Sequence, residues 1–320
     1  MTFMKKLLTY LLVFSGVVVA ITFRPDSLTK LDIEIITPSS GRKDKSLWKK
    51  VFKITGAKCD ALTTSSTEQC FADQDKKFKK LDKSLKSSHK IIWTFCGGYE
   101  VDKLMGKLAA SDYSKTSRKI IIGFSDATPL LIYMSQKYNW TAIHAPDLTN
   151  MAQKNKSPES YDSLIKFLHG KTNVFKISDL IPLNERAKTL DNVVIQGIIT
   201  GGNLTCIEST IGTPWQIETQ GKIILLEDIG IKDYYLDRLL THLDNAGLFN
   251  CVAAIIFGDF GANATALKIL ENFASKMSIP VYKSESFGHG RNNLPFGYNF
   301  LGKITKRQKT SEITMTQTEQ

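Results

Sequence analysis

The chain has 320 residues, 42% of them hydrophobic and 23% charged, with a formal net charge of +11. That length suits two domains or one large α/β domain, and the apolar and charged fractions are those of a globular chain, not a fibrous or low-complexity one. The positive excess would attract nucleic acid, anionic lipid or an anionic cell-wall polymer. The lysines cluster between Arg42 and Lys90, as in Lys76-Lys77-Phe78-Lys79-Lys80, which reads as a solvated helix face and not as a nucleic-acid groove.

Lys5-Lys6 precede an apolar, uncharged run from Leu7 to Phe23, followed by Arg24-Pro25-Asp26. A positive segment before a hydrophobic one is the pattern of an export signal, with Val18-Val19-Ala20 as a small-residue cleavage site. A membrane anchor through 7–23 and a buried core segment are the other readings, the run being short for a bilayer span. Residues 1–25 are therefore expected to be a signal peptide or anchor, with the remainder exported. Five cysteines leave at least one unpaired. Cys59 and Cys70 flank a polar stretch and could pair in an oxidising compartment, while Cys206 and Cys251 sit in apolar settings and read as core. Neither a C-x-x-C pair nor an H-E-x-x-H motif is present, so no metal or other cofactor is expected.

Leu31 to Ile36 reads as a first strand, closed by Thr37-Pro38-Ser39-Ser40-Gly41. Ser46 to Thr55 and Asp73 to Lys86 carry helical spacing of apolar residues. Lys90 to Phe95 is the next strand, ended by Cys96-Gly97-Gly98-Tyr99, and Val101 to Ala109 reads as helix. Lys119 to Ile122 is a short buried strand, broken by Gly123-Phe124-Ser125-Asp126 before a helix from Ala127 to Tyr138. Strands alternating with helices predict a mostly parallel sheet over residues 31–150. Residues 151–190 are polar and lysine-rich and read as an inter-domain linker with one helix, Tyr161 to Leu168. A second α/β unit, smaller, is expected over 191–305. Its strands are Val193 to Thr200, Lys222 to Leu226, Cys251 to Phe257 and Pro280 to Tyr282, with a helix from Tyr234 to Ala246. Residues 306–320 read as a polar, mobile tail.

Ser125, Glu227 and His289 share an address: each follows an apolar strand at its C-terminal end, where ligands bind in open α/β sheets. A serine hydroxyl needs a base to become a nucleophile, a histidine can be that base, and a carboxylate on its other nitrogen fixes the tautomer. Each residue also has a plainer reading. Ser125 would serve as a helix N-cap, Glu227 as a lysine partner, and His289 as a solvated loop residue. An oxyanion hole would come from the amides of Asp126 and Gly98, although paired glycines also simply permit a turn. Arg291 is a candidate for a substrate carboxylate, with a surface ion pair as its alternative. Tyr99 and Asn203 are further candidate substrate contacts.

The sequence resembles the LD-carboxypeptidase family of serine peptidases, which includes microcin-immunity proteins. The segments that carry the resemblance are Ile36-Thr37-Pro38-Ser39-Ser40-Gly41, Gly97-Gly98-Tyr99, Gly123-Phe124-Ser125-Asp126, Gly201-Gly202-Asn203-Leu204, Gly212-Thr213-Pro214, Leu226-Glu227-Asp228 with Asp237-Arg238-Leu239-Leu240, and Phe287-Gly288-His289-Gly290. The resemblance implies a two-domain α/β fold with Ser125 as nucleophile in the first domain. Glu227 and His289 would be orienting group and base in the second. It further implies cleavage of the L,D bond before the terminal D-alanine of peptidoglycan stem tetrapeptides, no metal, and a homodimer. The family pattern has arginine before the two glycines and glycine after the tyrosine, where this chain has Cys96 and Glu100. With the serine motif intact, Cys96 is not expected to be the nucleophile. The export signal points to the periplasm. Alternatives are hydrolysis of aminoacyl-nucleotide antibiotics, as in the immunity branch, and an inactive exported murein-binding protein.

Overall fold

The computed structural model describes residues 13–14, 17–18, 28–41, 45–56, 74–190, 193–261, 263–307 and 310–318. The leader expectation and the Cys59–Cys70 pairing fall outside these residues, apart from Val13–Phe14 (β1) and Val17–Val18 (β2), which pair antiparallel. Among the described residues no helix is long and apolar enough to cross a membrane.

The first unit is built on β3 (Ile33–Ile36), β4 (Ile91–Thr94), β5 (Ile120–Gly123) and β6 (Thr141–His144), parallel and adjacent in that order. Their apolar runs, such as the wholly buried Ile91–Thr94, suit strands covered on both faces. The helices of this unit are α1 (Lys45–Thr55), α2 (Gln74–Leu85), α3 (Val101–Ala109) and α4 (Thr128–Tyr138). Trp48 of α1 stacks on Phe95 just past β4, with ring centroids 3.7 Å apart.

The second unit begins with α5 (Leu148–Gln153), α6 (Glu159–Leu168), β7 (Val174–Pro182) and α7 (Glu185–Lys188). There follow β8 (Ile195–Asn203), α8 (Leu204–Glu208), β9 (Lys222–Glu227), α9 (Asp233–Asn245), β10 (Ala254–Phe257), α10 (Ala264–Lys276) and β11 (Val281–Lys283). β12 (Phe296–Gly297), β13 (Leu301–Arg307) and β14 (Thr310–Thr316) complete the chain. Seven of these strands close into a barrel in the order β10-β11-β7-β14-β13-β8-β9, in which β8, β9, β10 and β11 are parallel and the rest antiparallel.

Two expectations are corrected here. The linker contains a nine-residue strand, and the polar tail contains a seven-residue one. β7 and β14 pair with each other along their length. Both carry stretches of period-two burial: Phe175, Ile177, Ile313 and Met315 point into the core, and Leu180 does so beyond a shift in the register of the pair. Cys251 is exposed, because it lies in the turn before β10 and not inside the strand.

One connection decides the position of the site. β12 leaves the barrel and adds antiparallel to the edge of the first sheet, Phe296 opposite His144. His289 lies seven residues upstream of this pairing, so the loop that carries it is drawn over the C-terminal ends of β5 and β6.

Candidate active site

β5 ends at Gly123, and Phe124 continues extended with φ −160°. Ser125 then turns with φ 59°, opening a 3-10 turn over Ser125–Ala127 that runs into α4. A left-handed backbone is uncommon for a residue with a side chain, and it persists only where the surroundings enforce it. Here it aims the hydroxyl away from the helix: α4 has no side-chain cap, and Ser125 Oγ lies 3.1 Å from His289 Nε2. The N-cap alternative for Ser125 is thereby replaced by a contact with histidine.

Glu227 ends β9, a central barrel strand, and its side chain is 0% exposed. Its Oε2 meets His289 Nδ1 at 2.5 Å. That contact needs the loop backbone to pass close over the carboxylate, and Gly288 permits it. Its φ is 111°, and a Cβ there would lie 3.0 Å from Glu227 Cβ and 3.1 Å from Oε2. The Gly288 N–H donates to Asn293 Oδ1 at 3.1 Å, and the His289 ring tilts against Phe124 at 4.9 Å. The three residues that share a strand-end address in the sequence thus form one line: Oγ, Nε2, Nδ1, Oε2.

The Gly97-Gly98 loop closes a third side. The Gly97 N–H donates to Asp147 Oδ2 at 3.0 Å. A Cβ on Gly97 would come within 3.4 Å of Ser125 Oγ, and one on Gly98 (φ 137°) would lie 2.5 Å from Gly41 N. Ser40 N–H donates to Tyr99 O at 2.9 Å, so the Ser39-Ser40-Gly41 turn backs the loop. Glu100 then carries φ 107°. Its carboxylate, 0% exposed, is ion-paired with Lys77 of α2 and lies 3.9 Å from Lys103 Nζ. Lys77, read from the sequence as part of a solvated face, is therefore a half-buried partner. Cys96 is buried at the base of the same loop.

Burial and charge set the proton affinities. Burial pulls His289 toward its neutral form, but the charge and hydrogen bond of Glu227 outweigh it and leave the pKa above the ordinary histidine value. Burial pushes Asp126 up to about 6, opposed by hydrogen bonds from Ser39 and the Val101 N–H. Burial holds His144, fully enclosed behind the site, down to about 3, so this imidazole is neutral. Its ring stacks on Phe296, and its Nε2 lies 3.2 Å from Asn293 Oδ1. A serine hydroxyl, a neutral imidazole able to take its proton, and a buried carboxylate that stabilises the resulting imidazolium are the parts required for acyl transfer.

Residues 33–145 match the LD-carboxypeptidase N-terminal domain, and residues 196–304 match the LD-carboxypeptidase C-terminal domain. The chain belongs to the LD-carboxypeptidase family. A Rickettsia conorii protein named as an inferred carboxypeptidase is 36% identical over 295 residues, covering 88% of this chain and 90% of its own. The murein tetrapeptide carboxypeptidase of Pseudomonas aeruginosa is 26% identical over 222 residues, covering 65% and 69%. Among solved structures, the muramoyltetrapeptide carboxypeptidase of Oxalobacter formigenes superposes with a TM-score of 0.75 at 20% identity, covering 90% of this chain and 99% of that one. The microcin C7 self-immunity protein MccF gives 0.72 at 20% identity, covering 89% and 96%. The two-domain α/β architecture expected from the sequence is that of these LD-carboxypeptidase structures.

The expected substrate contacts fare differently within this LD-carboxypeptidase fold. Tyr99 is 52% exposed beside the glycine loop, with Lys103 Nζ 4.5 Å from its ring centroid. Asn203 is buried and spent on the protein: its Oδ1 caps α8 through the Cys206 N–H, and its Nδ2 donates to Asp228. It stands at a strand end that pairs with Glu227, beside the site. Arg291 is exposed and has no ion pair among the described residues, while its carbonyl accepts from the Ser157 N–H. Sequence reasoning missed Asp147 and Lys156, both inside or next to the supposed linker. Asp147 caps α5 by accepting from the Asn150 N–H and also holds Gly97. The N-cap pattern at Asp147-Leu148-Thr149-Asn150 was the available signal for the first role, and nothing in the sequence pointed to the second.

Proposed function

We propose that the protein is a serine LD-carboxypeptidase that releases the terminal D-alanine from peptidoglycan stem tetrapeptides. The observation that carries this reading is the line from Ser125 Oγ through the His289 ring to Glu227, with spacings of 3.1 and 2.5 Å. His289 Nε2 removes the hydroxyl proton as Oγ attacks the carbonyl before the D-residue. The developing oxyanion is held by the N–H groups of Gly98 and Asp126; the Gly97 N–H is already engaged by Asp147. His289 then protonates the leaving amine, and a water, deprotonated by the same nitrogen, hydrolyses the acyl-enzyme. Glu227 keeps the Nδ1 proton in place and offsets the imidazolium charge in both halves. The chain's +11 charge favours approach to an anionic cell-wall polymer. Arg291 and Tyr99 are the side chains we assign to the substrate, Arg291 to its free carboxylate.

The name of the Pseudomonas aeruginosa relative supports a murein peptide as substrate. The N-terminal positive-then-apolar segment supports action in the periplasm, and the family resemblance supports a homodimer. Purified protein incubated with murein tetrapeptide should yield tripeptide and free D-alanine, with none from a Ser125→Ala variant. The same preparation incubated with an aminoacyl-sulfamoyl adenosine tests the immunity-type reading, which the superposition on MccF makes the next to consider. Binding of murein with no product from either substrate would favour a binding protein.

A further inference from the structure

Lys156 lies in the loop between α5 and α6, 7% exposed, and its ammonium group faces the histidine loop. Its Nζ donates to three consecutive carbonyls, Gly288 at 3.2 Å, His289 at 2.6 Å and Gly290 at 2.5 Å. An ammonium group has three hydrogens, and each has a carbonyl to meet. Two further bonds join the same segments: the Ser157 N–H to Arg291 O at 2.8 Å, and the Asn293 N–H to Ser160 Oγ at 2.8 Å. Five bonds therefore fasten residues 156–160 onto residues 288–293. Gly288 and Gly290 leave this loop little side-chain packing of its own, and a glycine-flanked backbone has many alternative conformations to lose.

From this geometry we infer that Lys156 is a positioning residue, an internal cation that fixes the His289 loop in the conformation aimed at Ser125 and places a positive charge behind the base. The inference rests on the reading of His289 as general base. The charge acts against that of Glu227. The groups facing His289 are Glu227 and Asp228 at the end of β9, the neutral His144 of β6, and Lys156 itself, while Asp147 before α5 and Asp259 after β10 face Lys156. Burial lowers the proton affinity of Lys156, and the charges of Glu227, Asp147 and Asp259 resist that change. With carboxylates dominating this set, the charge of Lys156 lowers the proton affinity of the imidazole against theirs. A lysine used only for packing would not need its three donors aimed at three carbonyls of one loop.

The test is an NMR titration of the His289 ring in 15N-histidine-labelled protein, the resonance identified by its loss in His289→Gln. Wild type is compared with Lys156→Met and Lys156→Arg, alongside thermal melts and kcat/KM on murein tetrapeptide. In Lys156→Met the His289 midpoint should rise by at least about one pH unit, the effect of deleting a unit charge about 12 Å away at an effective dielectric near 20. The acid limb of kcat/KM should move with it, and its plateau should fall at least tenfold. Lys156→Arg should keep the midpoint within about 0.3 pH unit, because the charge remains. An unchanged midpoint in a folded Lys156→Met, or an equal rise in Lys156→Arg, would overturn the inference. Should Lys156→Met fail to fold, Lys156→Gln is read in the same way. The titration needs no substrate, so a protein inactive on tetrapeptide would count against the proposed function and leave this result standing.

Discussion

Replacing Glu100 by alanine and by glycine separates two effects that the native residue holds in balance. Glu100 has φ 107° and ψ −4°, a conformation that side chains avoid, and its buried carboxylate is paired with Lys77 and flanked by Lys103 and Gln74. Removing one partner of a buried pair costs about 3 to 5 kcal/mol when the other stays enclosed. Lys77 is 14% exposed and can swing to water, which brings the cost to the low end of that range or just under it, about 2 to 3 kcal/mol. Both substitutions incur this loss. Only alanine retains the backbone strain, which amounts to about 1 to 2 kcal/mol for a Cβ in the left-handed region. Glycine regains it, less about 0.5 to 1 kcal/mol for its freer unfolded chain. Urea denaturation should therefore rank wild type above Glu100→Gly and Glu100→Gly above Glu100→Ala, the two variants differing by about 1 kcal/mol. Because Tyr99 and the glycine loop immediately precede Glu100, kcat/KM should follow the same order. If Glu100→Ala proved as stable as Glu100→Gly, the strain argument would be refuted. If Glu100→Gly matched wild type, the Lys77 pair would contribute no more than the strain that glycine relieves.

Other outcomes follow from the same geometry. Glu227→Gln should lower kcat by about 10^3- to 10^4-fold, because the amide can no longer balance an imidazolium. It should also move the acid limb of kcat/KM to lower pH, since Glu227 is what raises the His289 pKa. In wild type, the base is active only when neutral, so kcat/KM should fall as pH drops through a midpoint above 6.5, read from a pH–rate profile. Asp126 is raised from 3.8 to about 6, so folding stability from this group is full below 3.8 and is lost as pH rises through about 6. Asp126→Asn should thus gain about 2 to 3 kcal/mol relative to wild type between pH 4 and pH 8 in paired urea titrations. Gly201→Ala should break the pairing of β8 with β9, because a Cβ there would lie 1.9 Å from Leu225 O; circular dichroism would show loss of the native transition, and a native-like melt would contradict the register of β8 on β9.

The parallel sheet was legible because β3, β4 and β5 are short apolar runs, each followed by a turn and a helix. Ser125, Glu227 and His289 were legible as strand-end polar residues, and the glycines around His289 hinted that the backbone there approaches something closely. β7 and β14 were not legible. A single lysine, the Ser178-Asp179 break and a terminal proline dilute the alternation in Val174–Pro182, and β14 gains its stability from pairing with β7 more than a hundred residues away, which no local pattern records. Lys156 was hidden for a related reason. A lysine between polar neighbours reads as solvated, and only the return of the chain through β12 brings three carbonyls to its ammonium group.

The most direct measurement of the central claim is mass spectrometry of wild-type and Ser125→Ala protein after incubation with murein tetrapeptide. The account predicts tripeptide and free D-alanine from wild type. Ser125→Ala should be correctly folded by its melt and should release neither. Equal D-alanine release by the two proteins would show that Ser125 is not the nucleophile, and absence of release by wild type would show that this peptide is not the substrate.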